Sequence, residues 1–197
     1  KLNLETGVTE TIVGNVDGSQ TSVAFADGIG SDAKIGNPFH LDISPDGSYA
    51  LLADGSNRRI RRIDLTPDNG TNNYSYNVTT IVGTGTHGSV NGIGSQATVE
   101  HVTGISIHPN GTKAYFASTS SIRMIDLESK DANGNLTYEV SNFYTASSMC
   151  YALDMASFRT PETSFMIAGN TNNSVKIMLN ADGTAGTVTN VIAHNSL

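Results

Sequence analysis

Carboxylate and imidazole side chains are the groups in this sequence best suited to metal binding or acid–base chemistry. Asp42 and Asp154 each stand in the middle of a short apolar segment, 41–43 and 153–155, and His40 lies just before the first of these. Carboxylate oxygens suit calcium, and two carboxylates that face one channel can also serve as acid and base. Alternation along a strand puts a polar residue on one face in any case. We therefore favour a structural role for all three residues and expect no cofactor, with calcium as the ion to test.

Six asparagines stand in the Asn-X-Ser/Thr pattern that accepts N-linked sugar. They are Asn69, Asn73, Asn77, Asn110, Asn135 and Asn172. Three of them lie in or beside one polar segment, 66–76, which predicts an exposed loop that carries sugar. Because this modification belongs to secreted chains, the pattern predicts an extracellular or cell-surface location.

Four of the eleven basic residues are concentrated in one run, Arg58-Arg59-Ile60-Arg61-Arg62, which is a candidate for binding nucleic acid. The chain as a whole carries a formal charge of −7, and no second basic run exists to build a face. Phosphate binding needs such a face. We therefore exclude nucleic acid as the main partner and interpret the run as structural.

The composition favours short strands joined by many turns. Only 15% of the residues are charged and 38% are hydrophobic, while glycine alone contributes 20 residues. No segment reaches the roughly 20 apolar residues of a membrane-spanning helix, so we predict no membrane insertion. The single cysteine, Cys150, is interpreted as a small buried hydrophobic residue.

An internal repeat is the strongest signal in the sequence. The matching segments are 11–14 and 80–83, 27–31 and 91–95, 41–47 and 105–111, and 60–65 and 122–127. A third, degenerate copy follows in the last quarter of the chain. Each copy predicts four short strands with alternating apolar residues and no helical period. Four strands in a repeat of about 50 to 65 residues are typical of the blades of a propeller.

Tight turns are predicted after the first strand of the first two copies. Pro45-Asp46-Gly47 and Pro109-Asn110-Gly111 predict hairpin turns in which Gly47 and Gly111 take a left-handed conformation. The first strand of each copy is predicted to be the innermost one. The apolar residues expected there are Leu41, Ile43, Ile105, Ile107, Leu153 and Met155.

The first copy resembles one full NHL repeat. The residues that carry the resemblance are Asp27-Gly28-Ile29-Gly30, Asn37-Pro38, Pro45-Asp46-Gly47, Ala53-Asp54 and Asn57-Arg58-Arg59-Ile60-Arg61. The second copy departs from this pattern, with Ser118 in place of Asp54, and the third keeps only its apolar strands. The resemblance implies an all-β propeller of four-stranded antiparallel blades. It also implies that Asp54, Asn57 and Arg59 join the second and third strands of a blade.

The repeats divide the chain into about three blades. The approximate units are 1–14, which aligns with the end of a preceding blade, and then 37–83, 101–144 and 150–193. A propeller closes on itself, usually with about six blades in this family. We therefore expect the chain to be part of a larger propeller and of a longer polypeptide.

Two classes of function are open. The first is a non-catalytic extracellular scaffold that packs against other protein chains or further copies of itself. The second is a fragment of a propeller enzyme of the metal-dependent lactonase or amidating-lyase type, with its site in the central channel. We favour the scaffold, because the unequal insertions 66–76 and 128–136 offer variable surface and no convergent ligand set is visible.

Overall fold

The computed structural model describes residues 1–14, 25–67, 74–119, 121–145, 150–156, 165–170 and 173–193. Strands account for the regular structure of these residues, apart from one 3-10 turn at Gly30–Asp32. No helix within the described ranges is long and apolar enough to cross a membrane. The strands form three antiparallel sheets.

Each sheet contains a four-stranded meander, in which strands that follow one another in the chain are also neighbours in space, and the first sheet has an additional strand, β1, beside β5. The first sheet contains β1 (Gly28–Ile29), β2 (Pro38–Ile43), β3 (Tyr49–Asp54), β4 (Arg59–Asp64) and β5 (Asn77–Val82). The second contains β6 (Val102–Ile107), β7 (Lys113–Ser118), β8 (Ser121–Asp126) and β9 (Glu139–Thr145). The third contains β10 (Cys150–Ala156), β11 (Phe165–Asn170), β12 (Asn173–Leu179) and β13 (Ala185–Ala193).

The first long strands of the three sheets adjoin one another. Strand β6 lies beside β2 on one side and beside β10 on the other, so the sheets are blades arranged around their inner strands. These three strands contain the apolar residues that the sequence predicted for the innermost positions. The predicted fold, antiparallel propeller blades with no long helix, is confirmed for the described residues.

Strand alternation places the core between the blades. In β3, Leu51 and Ala53 face the second blade, while Ala50 and Leu52 face the opposite way. The cluster between the first two blades consists mainly of Leu51, Ala53, Ile60, Ile81, Val82, Ile105, Ile107, Ala114, Phe116, Ile125 and Val140. A smaller cluster joins the second blade to the third through Tyr115, Ala117, Ile122, Ile177 and Leu179.

The first blade has five strands instead of the four predicted. Gly28 pairs with Val78 and Ile29 with Asn77, which adds β1 to the outer edge of β5. The Asp27 carboxylate secures this edge, because it accepts hydrogen bonds from the backbone N–H and the hydroxyl of Thr80 at 3.1 and 2.9 Å. The segment Asp27-Gly28-Ile29-Gly30, which carries part of the NHL resemblance, therefore also protects an otherwise open strand edge.

Glycine lies in the turn of the hairpins β2–β3 and β6–β7. Gly47 has φ 73° and Gly111 has φ 77°, a region in which an L side chain is strained. Beside Gly47, the Asp46 carboxylate accepts hydrogen bonds from Ser44 and Ser48, and these lower the pKa of Asp46 to about 2. Pro-Asp-Gly chemistry thus closes the first hairpin as the sequence indicates.

A buried ion pair joins β3 to β4 in the first blade. Asp54 and Arg61 have fully buried side chains, and their closest oxygen and nitrogen atoms are 3.0 Å apart. The other end of the Arg61 guanidinium contacts Asp27 at 2.7 Å. The Asp54 carboxylate also accepts hydrogen bonds from the Gly36 N–H and the Asn57 amide. Each oxygen of the Asp54 carboxylate therefore accepts two hydrogen bonds.

Removing one member of this pair should destabilise the protein strongly. We expect Asp54→Ala to lower the free energy of unfolding by about 3 to 5 kcal/mol, because Arg61 would keep its buried charge with one carboxylate fewer. The matched control is Asp64→Ala, whose partner Arg62 is 28% exposed, with an expected loss of about 1 kcal/mol or less. Urea unfolding of both variants measures the difference. Equal losses would contradict the structural role of the buried pair.

Candidate interaction site

Asp42 lies on β2 and connects the first blade to the second. Its Oδ2 accepts a hydrogen bond from the backbone N–H of Ile107 at 2.7 Å and a longer one from the Ser106 hydroxyl at 3.3 Å. Its Oδ1 accepts the N–H of Ile43 at 2.9 Å. Both oxygens of this carboxylate therefore bind backbone groups of two inner strands, and any metal ion at Asp42 would compete with these donors.

The other two channel candidates lie on inner strands as well. His40 is exposed on β2, and Asp154 occupies on β10 the register position that Asp42 occupies on β2. Asp42 pairs with Leu51, and Asp154 pairs with Ile167. In the part of the chain that the structure describes, no three His, Cys, Asp or Glu side chains come together as a metal site requires. A channel ion bound by these residues stays a prediction.

Two apolar side chains of β2, Leu41 and Ile43, lie on the face that points away from the second blade, and they are 52% and 54% exposed. Phe39 is 46% exposed, but its ring contacts His101 at the start of the second blade, with the ring centroids 4.6 Å apart. The counterparts of Leu41 and Ile43 in the second blade, Ile105 and Ile107, are 0% and 5% exposed because the first blade covers them. This face of the innermost strand is thus buried in the second blade and exposed in the first.

Only the innermost part of this face is open. Farther out, Ala50, Leu52 and Val78 are buried, with Val13 and Ile35 packed against them. We call the exposed residues Leu41 and Ile43 the inner stripe. Adjacent exposed apolar side chains beside a covered core are typical of a surface that packs against protein.

The basic run is used inside the first blade. Arg61 is fully buried in the ion pair described above. Arg62 donates to Asp64 at 3.0 Å and lies over the ring of Tyr49 at 3.9 Å. The Arg59 guanidinium lies 3.7 Å from the centre of the Phe25 ring. These contacts support the structural interpretation of the run.

Arg59 does not play the role that the sequence assigned to it. Its guanidinium donates to the carbonyl oxygens of Asn57 and Thr84, at 2.9 and 2.8 Å, and Arg61 forms the ion pair with Asp54 in its place. The Asn57 amide binds both Asp54 oxygens at 3.1 and 2.9 Å, which leaves the remaining side of the carboxylate to Arg61. The residue of β4 that joins the second and third strands is therefore Arg61, two residues beyond Arg59.

Arg123 is the counterpart of Arg61 in the second blade. The shared role of these two residues was not predicted from the sequence. Arg123 donates to the carbonyl oxygens of Thr98 and Val90 at 2.7 and 2.8 Å. Arg61 makes the matching contacts with Lys34 and Ala26. The available signal was the shared pattern Ile-Arg-X-Ile-Asp-Leu, in which an arginine stands between apolar residues in both copies.

The sequons differ in how their amide nitrogens are used. Asn110 Nδ2 donates to Ala181 O in the third blade at 3.0 Å. Asn135 is exposed, and its Nδ2 donates to Asp131 at 3.1 Å within the outer hairpin of the second blade. Asn77 is half-buried on β5. Asn69, Asn73 and Asn172 lie outside the described residues. Sugar on Asn110 would therefore displace a contact between blades, whereas Asn135 carries no such contact.

The three meanders and their adjoining inner strands define a β-propeller chain. No family model matches it. The chain is 28% identical over 134 residues to NHL repeat-containing protein 2 of Homo sapiens, a match that covers 66% of this chain and 17% of the relative. The resemblance to NHL-repeat propellers is thereby confirmed.

A solved structure shows the same fold. The crystal structure of a protein from Lactobacillus plantarum matches 79% of this chain with a TM-score of 0.51 and 17% sequence identity, and the match covers 42% of that protein's chain. A protein from Bacteroides uniformis, provisionally described as a 6-phosphogluconolactonase, matches with a TM-score of 0.47 and 17% identity over 79% of this chain and 40% of its own. The present chain thus spans less than half of either structure.

The link made by Asp42 can be tested by removing its carboxylate. We expect Asp42→Ala to lower the free energy of unfolding by about 1 to 3 kcal/mol, since the Ile107 N–H would lose a charged acceptor between blades. Amide hydrogen exchange at Ile107 should accelerate in the same variant.

The control is Asp126→Ala, which removes a half-exposed carboxylate 3.6 Å from Lys113 and should leave exchange at Ile107 unchanged. Unaltered protection of Ile107 in Asp42→Ala would show that the carboxylate does not hold the two blades together.

Proposed function

We propose that this chain is a non-catalytic extracellular β-propeller module that serves as a structural or protein–protein interaction scaffold in a larger secreted or cell-surface glycoprotein assembly. The observation that carries the proposal is the inner stripe. Two large apolar side chains, Leu41 and Ile43, are exposed on β2, while the matching positions of the next blade, Ile105 and Ile107, are buried. A surface of this kind loses unfavourable contact with water when a further blade or another protein covers it.

The use of Asp42 supports the same function. A catalytic propeller site needs carboxylates whose oxygens are free to bind a metal ion or to exchange a proton. The Asp42 carboxylate instead accepts hydrogen bonds from Ile107, Ser106 and Ile43. The Asp42 carboxylate thus joins the first blade to the second.

The outer hairpin of the second blade offers a second surface for contact. Lys130 and Leu136 pair across it, and Asp131 accepts backbone hydrogen bonds from Asn133 and Asn135 at 2.8 and 2.9 Å. Burial of Leu136 is incomplete, at 45% exposure. A compact hairpin with an exposed leucine at its base is a suitable contact element for another chain.

Metal analysis and a contact map of the natural assembly test the scaffold against an enzyme. We expect chemical cross-links from Lys130 to other protein chains, and no stoichiometric metal that depends on Asp42. The alternative is a metal-dependent hydrolase or lyase with its site in the channel. Calcium or zinc bound at one ion per chain, and lost in both Asp42→Asn and His40→Ala, would overturn the scaffold and establish that alternative.

Glycan mapping tests the extracellular location. In protein isolated from its native source we expect N-linked sugar on Asn135, because this residue is exposed and lies on an outer hairpin. Asn110 should be modified less or not at all, since its amide nitrogen binds Ala181. Mass spectrometry of the intact peptides, before and after enzymatic deglycosylation, gives the occupancy at each site. Unmodified asparagine at all six sequons would contradict the location.

A further inference from the structure

We propose that the outer edge of the third blade is a docking site for an extended segment of another protein chain, which adds a strand beside β13. The inference rests on the proposed scaffold function and concerns a surface different from the inner stripe. It follows from a comparison of the outer strands of the three blades. Backbone covers the first two, β5 and β9, whereas among the described residues nothing pairs with the outer side of β13.

The first two blades cover their outer strands in the same way. Gly28 pairs with Val78 of β5, and Gly92 pairs with Val140 of β9. In the second pairing, the N–H of each residue donates to the carbonyl oxygen of the other, at 2.9 and 2.8 Å. Both glycines belong to segments that precede their blades, with the sequences Gly-Ile-Gly-Ser-Asp-Ala at 28–33 and Gly-Ile-Gly-Ser-Gln-Ala at 92–97. We call these two segments the covering segments.

The alanine that ends each covering segment packs in the same cluster as the paired valine. Ala33 is buried together with Val78, and Ala97 is buried together with Val140. The exposed fraction of these four residues is 1% or less. A covering segment therefore supplies backbone groups to the edge of the outer strand and a small side chain to its face.

Val188 on β13 is the counterpart of these two valines. Each of the three valines pairs with an isoleucine of the neighbouring strand, which is Ile63, Ile125 or Ile177 in chain order. Although Ile177 is fully buried, Val188 is 43% exposed. In the part of the chain that the structure describes, β13 has a neighbouring strand on one side only, β12. Val188 thus lacks the cover that Val78 and Val140 have.

The connection that precedes the third blade is too short to provide a covering segment. Residues 83–101 stand between β5 and β6, but only residues 146–149 stand between β9 and β10. Four residues span at most about 14 Å. A strand added beside β13 lies four strand spacings, about 19 Å, from β10. The place in the chain that covers the first two blades therefore cannot cover the third.

The third blade also lacks the arginine that binds the covering segment in the other two. Val175 has on β12 the strand position of Arg61 and Arg123, directly after the register shift in each blade. In the first two blades this arginine donates to backbone carbonyls and to the residue just before the covering glycine. A segment that docks on β13 has no such arginine to bind, so it needs no charge at that position.

Further blades of the same polypeptide would leave this edge open. Blades pack face to face, as the first two do, whereas β13 is the last strand of its sheet. Val188 lies on the same face as Ile177, which packs against the second blade, so a following blade would lie on the other side. The nine residues of β13 include no charge and no proline, with which proteins usually prevent a free edge from pairing. The strand is therefore suited to strand addition.

The covering segments define the chemistry of the partner. It is an extended, uncharged segment with the pattern Gly-X-Gly-X-X-Ala. Glycine is favoured at its first position because Gly28 and Gly92 have φ 154° and 111°. The alanine matches the space beside Val188. Both copies of the pattern in the described part of the chain are bound to their own blades, so the segment that covers β13 comes from another chain.

Amide hydrogen exchange of the full-length polypeptide, purified without partners, is the first measurement. We expect exchange at Val188 to be at least about tenfold faster than at Val140, whose N–H binds Gly92. Slow exchange at Val188 in the monomeric polypeptide would show that the polypeptide covers its own edge, and it would overturn the inference.

A synthetic peptide with the sequence of residues 90–98 is the docking probe. We expect saturable binding by fluorescence anisotropy and slower exchange at Val188, with exchange at Val78 and Val140 unchanged. The same peptide N-methylated at its first glycine lacks the donor that Gly92 uses, so it should bind about tenfold more weakly. This comparison leaves the protein unaltered and does not depend on the folding of a variant.

Two variants locate the binding site in the protein. Val188→Pro removes the N–H that corresponds to the one Val140 donates to Gly92, and it should abolish peptide binding. Val188→Ala keeps this N–H and is the matched control, which should still bind. A peptide that fails to bind, binds equally well when N-methylated, or protects another strand overturns the inference. These outcomes leave the scaffold function standing, whereas the metal result described above would reject that function.

Discussion

A buried arginine organises each of the first two blades, because its guanidinium binds the segment that precedes the blade. Arg61 is fully enclosed in β4, yet its guanidinium reaches backbone carbonyls at Ala26 and Lys34 that lie far away in the chain. It therefore fixes the segment that precedes the blade against the outer strands. That segment supplies β1 and carries Asp27, which satisfies both Arg61 and the open edge of β5. A guanidinium suits this task because its several donors point in fixed directions. An apolar residue at the same place would pack in the blade but would not orient the entering chain.

The second blade keeps the arginine and changes its surroundings. Arg123 is also fully buried, but Ser118 and Asn91 replace the two carboxylates that Arg61 contacts. Burial lowers the pKa of Arg123, and the negative charge of Glu100 acts in the opposite direction. Glu100 stands where the first blade has Gly36, and a Cβ atom at Gly36 would lie 2.7 Å from the Asn57 amide. The turn of the second blade is two residues shorter and lacks a counterpart of Asn57, so a side chain fits there. The carboxylate has thus moved from the strand to the approaching segment, and the blade retains a negative charge near its buried cation.

The sequence predicted the blades well because their determinants are local and repeated. The apolar alternation of 41–43 and the Pro-Asp-Gly turn at Gly47 each specify a strand or hairpin without help from distant residues. The partners of Arg61 were not predictable in the same way, because Ala26 and Lys34 take part through backbone carbonyls, which carry no sequence signal. The role of Asp42 was also hidden. Its acceptor function depends on the N–H of Ile107, a group present at almost every residue, and only the approach of two blades selects this one.

The two joints between blades use different chemistry, and this difference bears on how blade order is specified. The joint between the first and second blades has a carboxylate on its innermost strands, since Asp42 binds Ile107 there. The joint between the second and third blades has contacts at the hairpin ends, where Tyr115 donates its hydroxyl to Gly183 O and Asn110 donates to Ala181 O. Apolar packing is not directional and would by itself tolerate exchange of blades. Polar contacts are selective because a mismatched neighbour leaves a buried donor or acceptor unsatisfied, which costs about 1 to 3 kcal/mol. The aspartate at position 42 therefore favours a following blade that presents an inner-strand N–H, as the second blade does at Ile107.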